Sequence, residues 1–293
     1  MKWIDYVSPN SVREAVDILE REGENARPLA GGTDILIQHR TGRREPGVLV
    51  DMKNIPELDT IAYTSSAGLT LGAAVPCHRI YEDSNLAAAY PALIDATSII
   101  GGIQIQGRAS VGGNLCNSAP SADAIPALIA LGVTCQIAGP NNTRSVPVED
   151  FCTGPGQNIL QKGELLVSLR FPAPVSNSGA RYIRFIPRNE MDIAVVGVGV
   201  SVVLAADNQT IRSARVSLAS VAPTPLFVKE AGEALANKSA TPENIEIASQ
   251  LAKDAATPIT DMRGTIEYRK HLCSVMTRRA LQTAIARARG DAN

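Results

Sequence analysis

A chain of 293 residues has room for two domains, and fractions of 45% hydrophobic and 19% charged residues are those of an ordinary globular protein rather than a disordered one. A formal net charge of −1 removes the electrostatic reason to expect nucleic acid or an acidic membrane as partner. No apolar run approaches the roughly 18 residues that span a bilayer, and Asp5 falls where a signal peptide opening at Met1-Lys2 would carry its apolar stretch, so a cytoplasmic protein without a membrane span is expected.

Ser11-Val12-Arg13-Glu14 has the spacing of a capping box, opening a helix to about Arg21. Ala15, Val16, Ile18 and Leu19 form its apolar face, and Gly23 stops it. Arg27-Pro28-Leu29-Ala30 then reads as a short strand running into Gly31-Gly32, with a helix from about Asp34 to His39 directly behind. Glycine lets a ligand approach the backbone, and the free N–H groups of a helix start suit a phosphate. Capping of that helix is the plainer role for Thr33 and Asp34. Arg40, Arg43 and Arg44 read as a solvated basic face. Val48-Leu49-Val50 and Leu69-Thr70-Leu71 are short strands that complete a first lobe of about residues 1–74.

A second lobe, about residues 75–175, opens near Val75-Pro76, with helices expected from Ile80 to Leu86 and from Pro91 to Ile100. Between Ser110 and Asp123 stands a second glycine pair, Gly112-Gly113, among small and polar residues. Too few apolar side chains occur there to fill a core, so the segment is expected to be a loop shaped for a ligand, with Gly113 at positive φ. Two glycine pairs about eighty residues apart suit the two phosphates of a dinucleotide, and Asp123 is placed to accept from ribose hydroxyls. A buried helix from Ile125 to Leu131 follows, then strands Val133–Ala138 and Leu165–Phe171. The run Pro172-Ala173-Pro174-Val175-Ser176-Asn177-Ser178-Gly179 is a linker.

Beyond it, a strand from Ala194 to Ala205 turns at Asp207-Asn208 into Arg215–Ser220. Gly197-Val198-Gly199 lacks a third glycine and a following helix, so close strand packing explains it better than a nucleotide site. The pattern is helical from Leu226 and ends in a long helix, about Ile266 to Ala288.

The chain contains no P-loop and no Rossmann fingerprint. Cys77, Cys116, Cys135, Cys152 and Cys273 show no C-x-x-C spacing, which argues against a disulfide framework or a cluster; Cys116 is read as structural. His39, His78 and His271 are scattered, so no metal site and no acid–base machinery are expected. A dinucleotide-binding chain without acid–base groups fits redox work, where the cofactor supplies the chemistry.

Ala30-Gly31-Gly32-Thr33-Asp34, followed by Ser110-Val111-Gly112-Gly113-Asn114 and Asp123, resembles the flavoprotein subunit of the xanthine dehydrogenase / carbon monoxide dehydrogenase family, the molybdenum hydroxylases. Phe151-Cys152-Thr153-Gly154-Pro155-Gly156, Glu164-Leu165-Leu166 and Arg188-Asn189-Glu190-Met191-Asp192-Ile193-Ala194 agree, and the resemblance runs from Tyr6 to about Ala288. It implies an α+β fold: a two-lobed FAD-binding domain like those of vanillyl-alcohol oxidase and muramate reductase (residues 1–175), then a smaller α+β domain (176–293).

The resemblance also implies non-covalent FAD. Carried over by position, Leu29, Ala30, Gly31, Gly32, Thr33, Asp34 and Ile35, with Ser110, Val111, Gly112, Gly113 and Asn114, would hold the pyrophosphate, and Asp123 the ribose. Ile100 would lie against the flavin and Leu166 near the adenine. Arg184 stands where relatives usually have lysine, which keeps the charge but not the geometry. Arg188 to Asp192 would form a loop near the flavin edge. The implied partners are a large molybdenum-binding subunit and a small [2Fe–2S] subunit, with a dimer of heterotrimers as the higher assembly. This chain would pass electrons from the [2Fe–2S] centres to NAD or another acceptor. The motifs lean toward the purine-type xanthine dehydrogenases; carbon monoxide, aldehyde and N-heterocycle dehydrogenases are the alternatives. Two rivals differ in class. A free-standing flavin oxidase would need a base over a substrate pocket, and its covalent versions carry a histidine where this chain has Thr33. A scaffold without flavin would have no use for both glycine pairs.

Overall fold

The computed structural model describes residues 3–291. Met1 and Lys2, at the start of the expected first domain, and Ala292 and Asn293, at the end of the second, lie outside the described residues.

The first lobe is a three-stranded parallel sheet of β1 (Asp5–Val7), β2 (Ala26–Leu29) and β3 (Val48–Asp51), with β3 in the middle. Helix α1 (Val12–Glu22) connects β1 to β2, and α2 (Ile35–Arg40) lies between β2 and β3. Ser11 Oγ accepts from the Glu14 N–H at 3.2 Å and Glu14 accepts from the Asn10 N–H at 2.9 Å, so the capping box closes one residue upstream of its ideal form. Gly23, at φ 55°, ends α1. The face of Ala15, Val16, Ile18 and Leu19 packs with Val50, Met52, Ile55 and Leu58 to form a small core.

The second lobe opens with β4 (Ile61–Thr64) and β5 (Gly68–Gly72), continues through α3 (Cys77–Tyr81), α4 (Ser84–Ala89), α5 (Pro91–Thr97), α6 (Ile103–Gln106), α7 (Val111–Asn117) and α8 (Ala124–Ala130), and closes with β6 (Thr134–Ala138), β7 (Thr143–Pro147), a ribbon of β8 (Cys152–Gly154) and β9 (Gln157–Asn158), and β10 (Leu165–Phe171). Its antiparallel sheet has the order β4-β5-β10-β6-β7. Strand β5, grouped by sequence with the first lobe, therefore belongs to the second sheet. The single helix expected over Ile80–Leu86 is two, because Asp83 accepts from the N–H groups of Asn85 (2.9 Å) and Leu86 (3.2 Å) and starts a new helix. The expected ligand loop after Ala109 is also corrected: it begins as helix α7, since Ser110 supplies an N-cap.

The remaining residues build an antiparallel sheet, β11 (Ser178–Phe185), β12 (Val196–Leu204), β13 (Thr210–Ala219) and β14 (Leu226–Phe227), covered by α9 (Lys229–Leu235), α10 (Pro242–Ala255) and α11 (Ile266–Arg289); β15 (Lys238–Ser239) pairs with β13. The hairpin turn is where the sequence places it, with Asn208 at φ 55° and Asp207 accepting from the Gln209 and Thr210 N–H groups, both at 2.9 Å. Its second strand starts at Thr210, earlier than expected. A Cβ on Gly199 would lie 2.3 Å from the Pro126 carbonyl oxygen, so this glycine lets β12 lie directly on α8.

Polar contacts sew this sheet to the second lobe. Asp95 on α5 accepts from Arg181 Nη1 (2.7 Å), the Tyr182 N–H (3.1 Å) and Arg287 Nη1 (2.7 Å). Arg215 donates to the Ile129 carbonyl and to Glu149, both at 2.8 Å.

Candidate functional site

A cleft of about 660 Å³ runs between the two lobes, bounded by the turn after β2, the start of α7, the β8–β9 ribbon and β10. The turn can take only glycine at two successive positions. A Cβ on Gly31 would stand 2.1 Å from the Arg108 carbonyl oxygen, and Gly32 holds φ 77°. None of the N–H groups of Gly31, Gly32, Thr33 and Asp34 donates to an acceptor among the described residues. Successive free N–H donors at a strand-to-helix turn are suited to receiving an anion.

The second glycine pair meets the first here. A Cβ on Gly112 would lie 2.4 Å from the Ala73 carbonyl oxygen, so α7 starts hard against β5's exit. Gly113 donates its N–H to Ser110 Oγ at 3.0 Å; a Cβ on it would meet only that oxygen (2.9 Å) and the Ala30 Cβ (4.0 Å). Gly113 is not at positive φ, contrary to the sequence expectation; Gly32 is. The reason for glycine at 113 is room for a neighbour rather than backbone handedness. Thr33 and Asp34 do not cap α2 either: Asp34 stands at its N-cap without a side-chain hydrogen bond, and partial desolvation raises its carboxyl pKa although the residue remains exposed.

Of the residues singled out in the sequence, Ala30, Gly31, Gly32, Thr33, Asp34, Ile35, Ile100, Ser110, Gly112, Gly113, Asn114 and Leu166 line the cleft. Leu29 and Val111 are buried in the walls behind it. Asp123 and Arg184 are brought together beside it, but as each other's partners: Arg184 Nη1 donates to Asp123 Oδ2 at 2.6 Å and Tyr182 OH donates to Oδ1 at 2.8 Å. Asn114 connects the pair to the cleft wall, its Oδ1 accepting from the Ala124 N–H at 3.1 Å. The loop holding Arg188 and Asp192, which pair at 3.1 Å, reaches Gly102 through the Met191 side chain.

Burial pushes the Asp123 carboxyl up to about 6 against the opposing pull of Arg184. Because the folded value exceeds the unfolded one, the folded protein takes up a proton between about pH 4 and 6, and this residue's contribution to stability falls as pH rises through that window. A carboxyl ¹³C titration of Asp123 is expected to give a midpoint near 6. A midpoint below that of a free aspartate would mean that the ion pair outweighs burial.

Sequence reasoning passed over several cleft residues. Arg44, read as part of a solvated face, donates to the Gly156 carbonyl at 3.3 Å and lines the cleft; Arg40 and Arg43 are exposed as expected. Gln38 donates to Asn117 at 3.1 Å across the same gap. The only available signal was position: Gln38 lies on the short helix that follows the first glycine pair, and Arg44 lies just past its end. Cys116 also lines the cleft, and desolvation pushes its thiol up to about 12, which disfavours the nucleophilic thiolate at neutral pH.

Residues 2–174 match the family model for the FAD binding domain in molybdopterin dehydrogenase. The chain belongs to the FAD-binding medium-subunit family of the xanthine and carbon monoxide dehydrogenases. Residues 181–284 of this FAD subunit match the CO dehydrogenase flavoprotein C-terminal domain. It is 32% identical over 289 residues to the xanthine dehydrogenase FAD-binding subunit of Escherichia coli O157:H7, covering 98% of both chains. It is 34% identical over 286 residues to the carbon monoxide dehydrogenase medium chain of Afipia carboxidovorans, covering 97% of this chain and 98% of that one. A solved carbon monoxide dehydrogenase from Hydrogenophaga pseudoflava contains a chain that superposes with a TM-score of 0.93 at 31% identity, covering 98% of each.

The cleft fits FAD on its own terms. Its volume lies within the range of roughly 300–1,000 Å³ typical of cofactor sites, and free N–H donors stand where glycines leave room for a diphosphate. The FAD subunit offers no group of three His, Cys, Asp or Glu side chains able to hold a metal ion among its described residues. No described helix is long and apolar enough to cross a membrane.

Proposed function

We propose that this subunit holds FAD non-covalently along the cleft and works in the cytoplasm as the electron outlet of a molybdenum hydroxylase. A large subunit carries the molybdenum cofactor and a small one the [2Fe–2S] centres. FAD held there would supply the redox chemistry that links the [2Fe–2S] centres to an acceptor such as NAD. The observation that carries the reading is the meeting of Gly31-Gly32 and Gly112-Gly113 on one cleft with free N–H groups between them.

In this reading Gly31 to Ile35, backed by Leu29 and Ala30, and Ser110 to Asn114 bind the pyrophosphate. Leu166 borders the adenine, Ile100 excludes water from the flavin, and Asp123 accepts from the ribose with whatever lone pairs Tyr182 and Arg184 leave it. Arg184 therefore acts through Asp123. The FAD-binding domain is taken as residues 1–175 and the smaller domain as 176–293, because residues 172–177 separate β10 from β11. Assembly as a dimer of heterotrimers belongs to the same proposal.

The oxidised substrate is proposed to be a purine, on the resemblance of Phe151–Gly156 and the segment around Asp192. Carbon monoxide is the second reading, favoured by the 34% identity to the carbon monoxide dehydrogenase chain. Rapid mixing of the purified complex with xanthine, and separately with carbon monoxide, tests both. One substrate is expected to bleach the flavin band, and destroying the [2Fe–2S] centres should abolish that bleaching while reoxidation by the acceptor persists. Bleaching of this chain alone by either substrate would instead establish a free-standing oxidase.

A further inference from the structure

At the end of the central strand, Asp51 is a carboxylate only 4% exposed, and three donors converge on it. Tyr6 OH donates to Oδ2; Lys53 Nζ and the Lys53 N–H (3.1 Å) donate to Oδ1. The Lys53 ammonium then reaches one step further and donates to the Ala30 carbonyl at 3.3 Å. Ala30 immediately precedes Gly31, and the bond between them is trans, since the protein has no cis peptide among its described residues.

A trans peptide is planar, with its C=O and N–H pointing in opposite directions. A cation that fixes where the Ala30 carbonyl points therefore also fixes where the Gly31 N–H points. Lys53 does not line the cleft, whereas Ala30 and Gly31 do. The carbonyl is drawn toward the lysine, and the N–H is turned away from it, onto the ligand side. This peptide needs external support. Gly31 has no side chain to anchor it, and its other face rests on the Arg108 backbone.

We propose that Lys53, held by Asp51 and Tyr6, is the positioning residue that sets the first diphosphate-binding N–H of the turn. This rests on the reading of residues 29–35 as the pyrophosphate cradle. The lysine is the one cation that bonds the backbone of the Ala30–Asp34 turn among the described residues, and its own orientation is fixed from two sides. Lys53→Met removes the bond at nearly constant side-chain length, while Lys53→Arg keeps a donor.

The test compares ligands that do and do not carry the diphosphate. Apo protein is prepared as wild type, Lys53→Met, Lys53→Arg and Gly113→Val, and titrated with FAD, ADP and riboflavin. Lys53→Met is expected to weaken FAD and ADP by about tenfold and riboflavin by less than twofold, with unchanged circular dichroism. It should also shift the ³¹P resonances of bound ADP, and Lys53→Arg should restore most of the affinity. ADP affinity within twofold of wild type in folded Lys53→Met, while Gly113→Val loses it, would overturn the role of Lys53 and leave the cradle standing. Equal losses for riboflavin and ADP would overturn it too, as a general structural effect. If neither Gly113→Val nor Lys53→Met weakens ADP, the cradle reading itself falls.

Discussion

Replacing Gly113 by valine is expected to strip the flavin from the protein and leave the chain folded. The position has ordinary helical handedness, so a branched side chain brings no backbone strain. Its Cβ would crowd only Ser110 Oγ, a rotatable hydroxyl, at a cost comparable to a weakened N-cap, about 1 kcal/mol. The two methyl groups would then stand next to Ala30, in the space where the two glycine pairs face each other. Flavin absorbance per mole of purified protein should drop from near stoichiometric to near zero, with circular dichroism unchanged. Gly31→Val is the contrast. Its Cβ would collide with the Arg108 backbone at 2.1 Å, which cannot rotate away, so this variant should lose the fold along with the flavin. A folded Gly113→Val protein with full flavin content would show that Gly112-Gly113 does not touch the cofactor.

The second large effect is expected at Arg184. Its side chain and that of Asp123 are both close to nine-tenths buried or more, at 7% and 11% exposure. Truncation to methionine leaves a buried carboxylate with Tyr182 as its one side-chain partner among the described residues, and breaking such a pair from one side costs about 3–5 kcal/mol. The loss should depend on pH in a defined direction. Without the guanidinium the Asp123 carboxyl moves above its already raised value of about 6, so protonation relieves the unpaired charge and the variant gains stability as pH falls below neutral. Urea denaturation at pH 5.5 and pH 8 should show the larger deficit at pH 8. Pairing Arg184→Met with Asp123→Leu should recover most of the loss, because removing both charges from a buried site is far milder than removing one. A pH-independent deficit below about 1 kcal/mol would mean that water reaches the pair and screens it.

How far the sequence could be read follows from which interactions are local. The α1 cap, the glycine stop at Gly23, the Asp207-Asn208 turn and the packing reason for Gly199 were all legible, since each depends on neighbours within a few residues or on a missing Cβ. The cleft-lining glycines were legible for the same reason. Asp83 restarting a helix was missed because one carboxylate outweighs a continuous apolar pattern. Strand β5 pairs with β10 nearly a hundred residues later, a partnership no local pattern reveals. The exchange of roles at Asp123 is of the same kind: as a lone carboxylate it reads as a ribose ligand, and only the tertiary fold brings Tyr182 and Arg184 to it. Tyr6, Asp51 and Lys53 were invisible as a unit, being a phenol on an edge strand, the last residue of another strand and a lysine just beyond it.

The grip on Asp95 has a consequence for how the protein is made. Two of the cations that close on it differ widely in arrival time: Arg181 is 86 residues downstream and Arg287 is 192. At a synthesis rate of roughly 5–20 residues per second, Asp95 waits about 10–40 seconds for Arg287 to be made. During that interval Asp95 and Asp123 lie on an unsealed surface, together with the apolar faces of α5 and α8. Until the β11–β14 sheet is made and packs against them, these faces are apolar surface of the kind that chaperones bind.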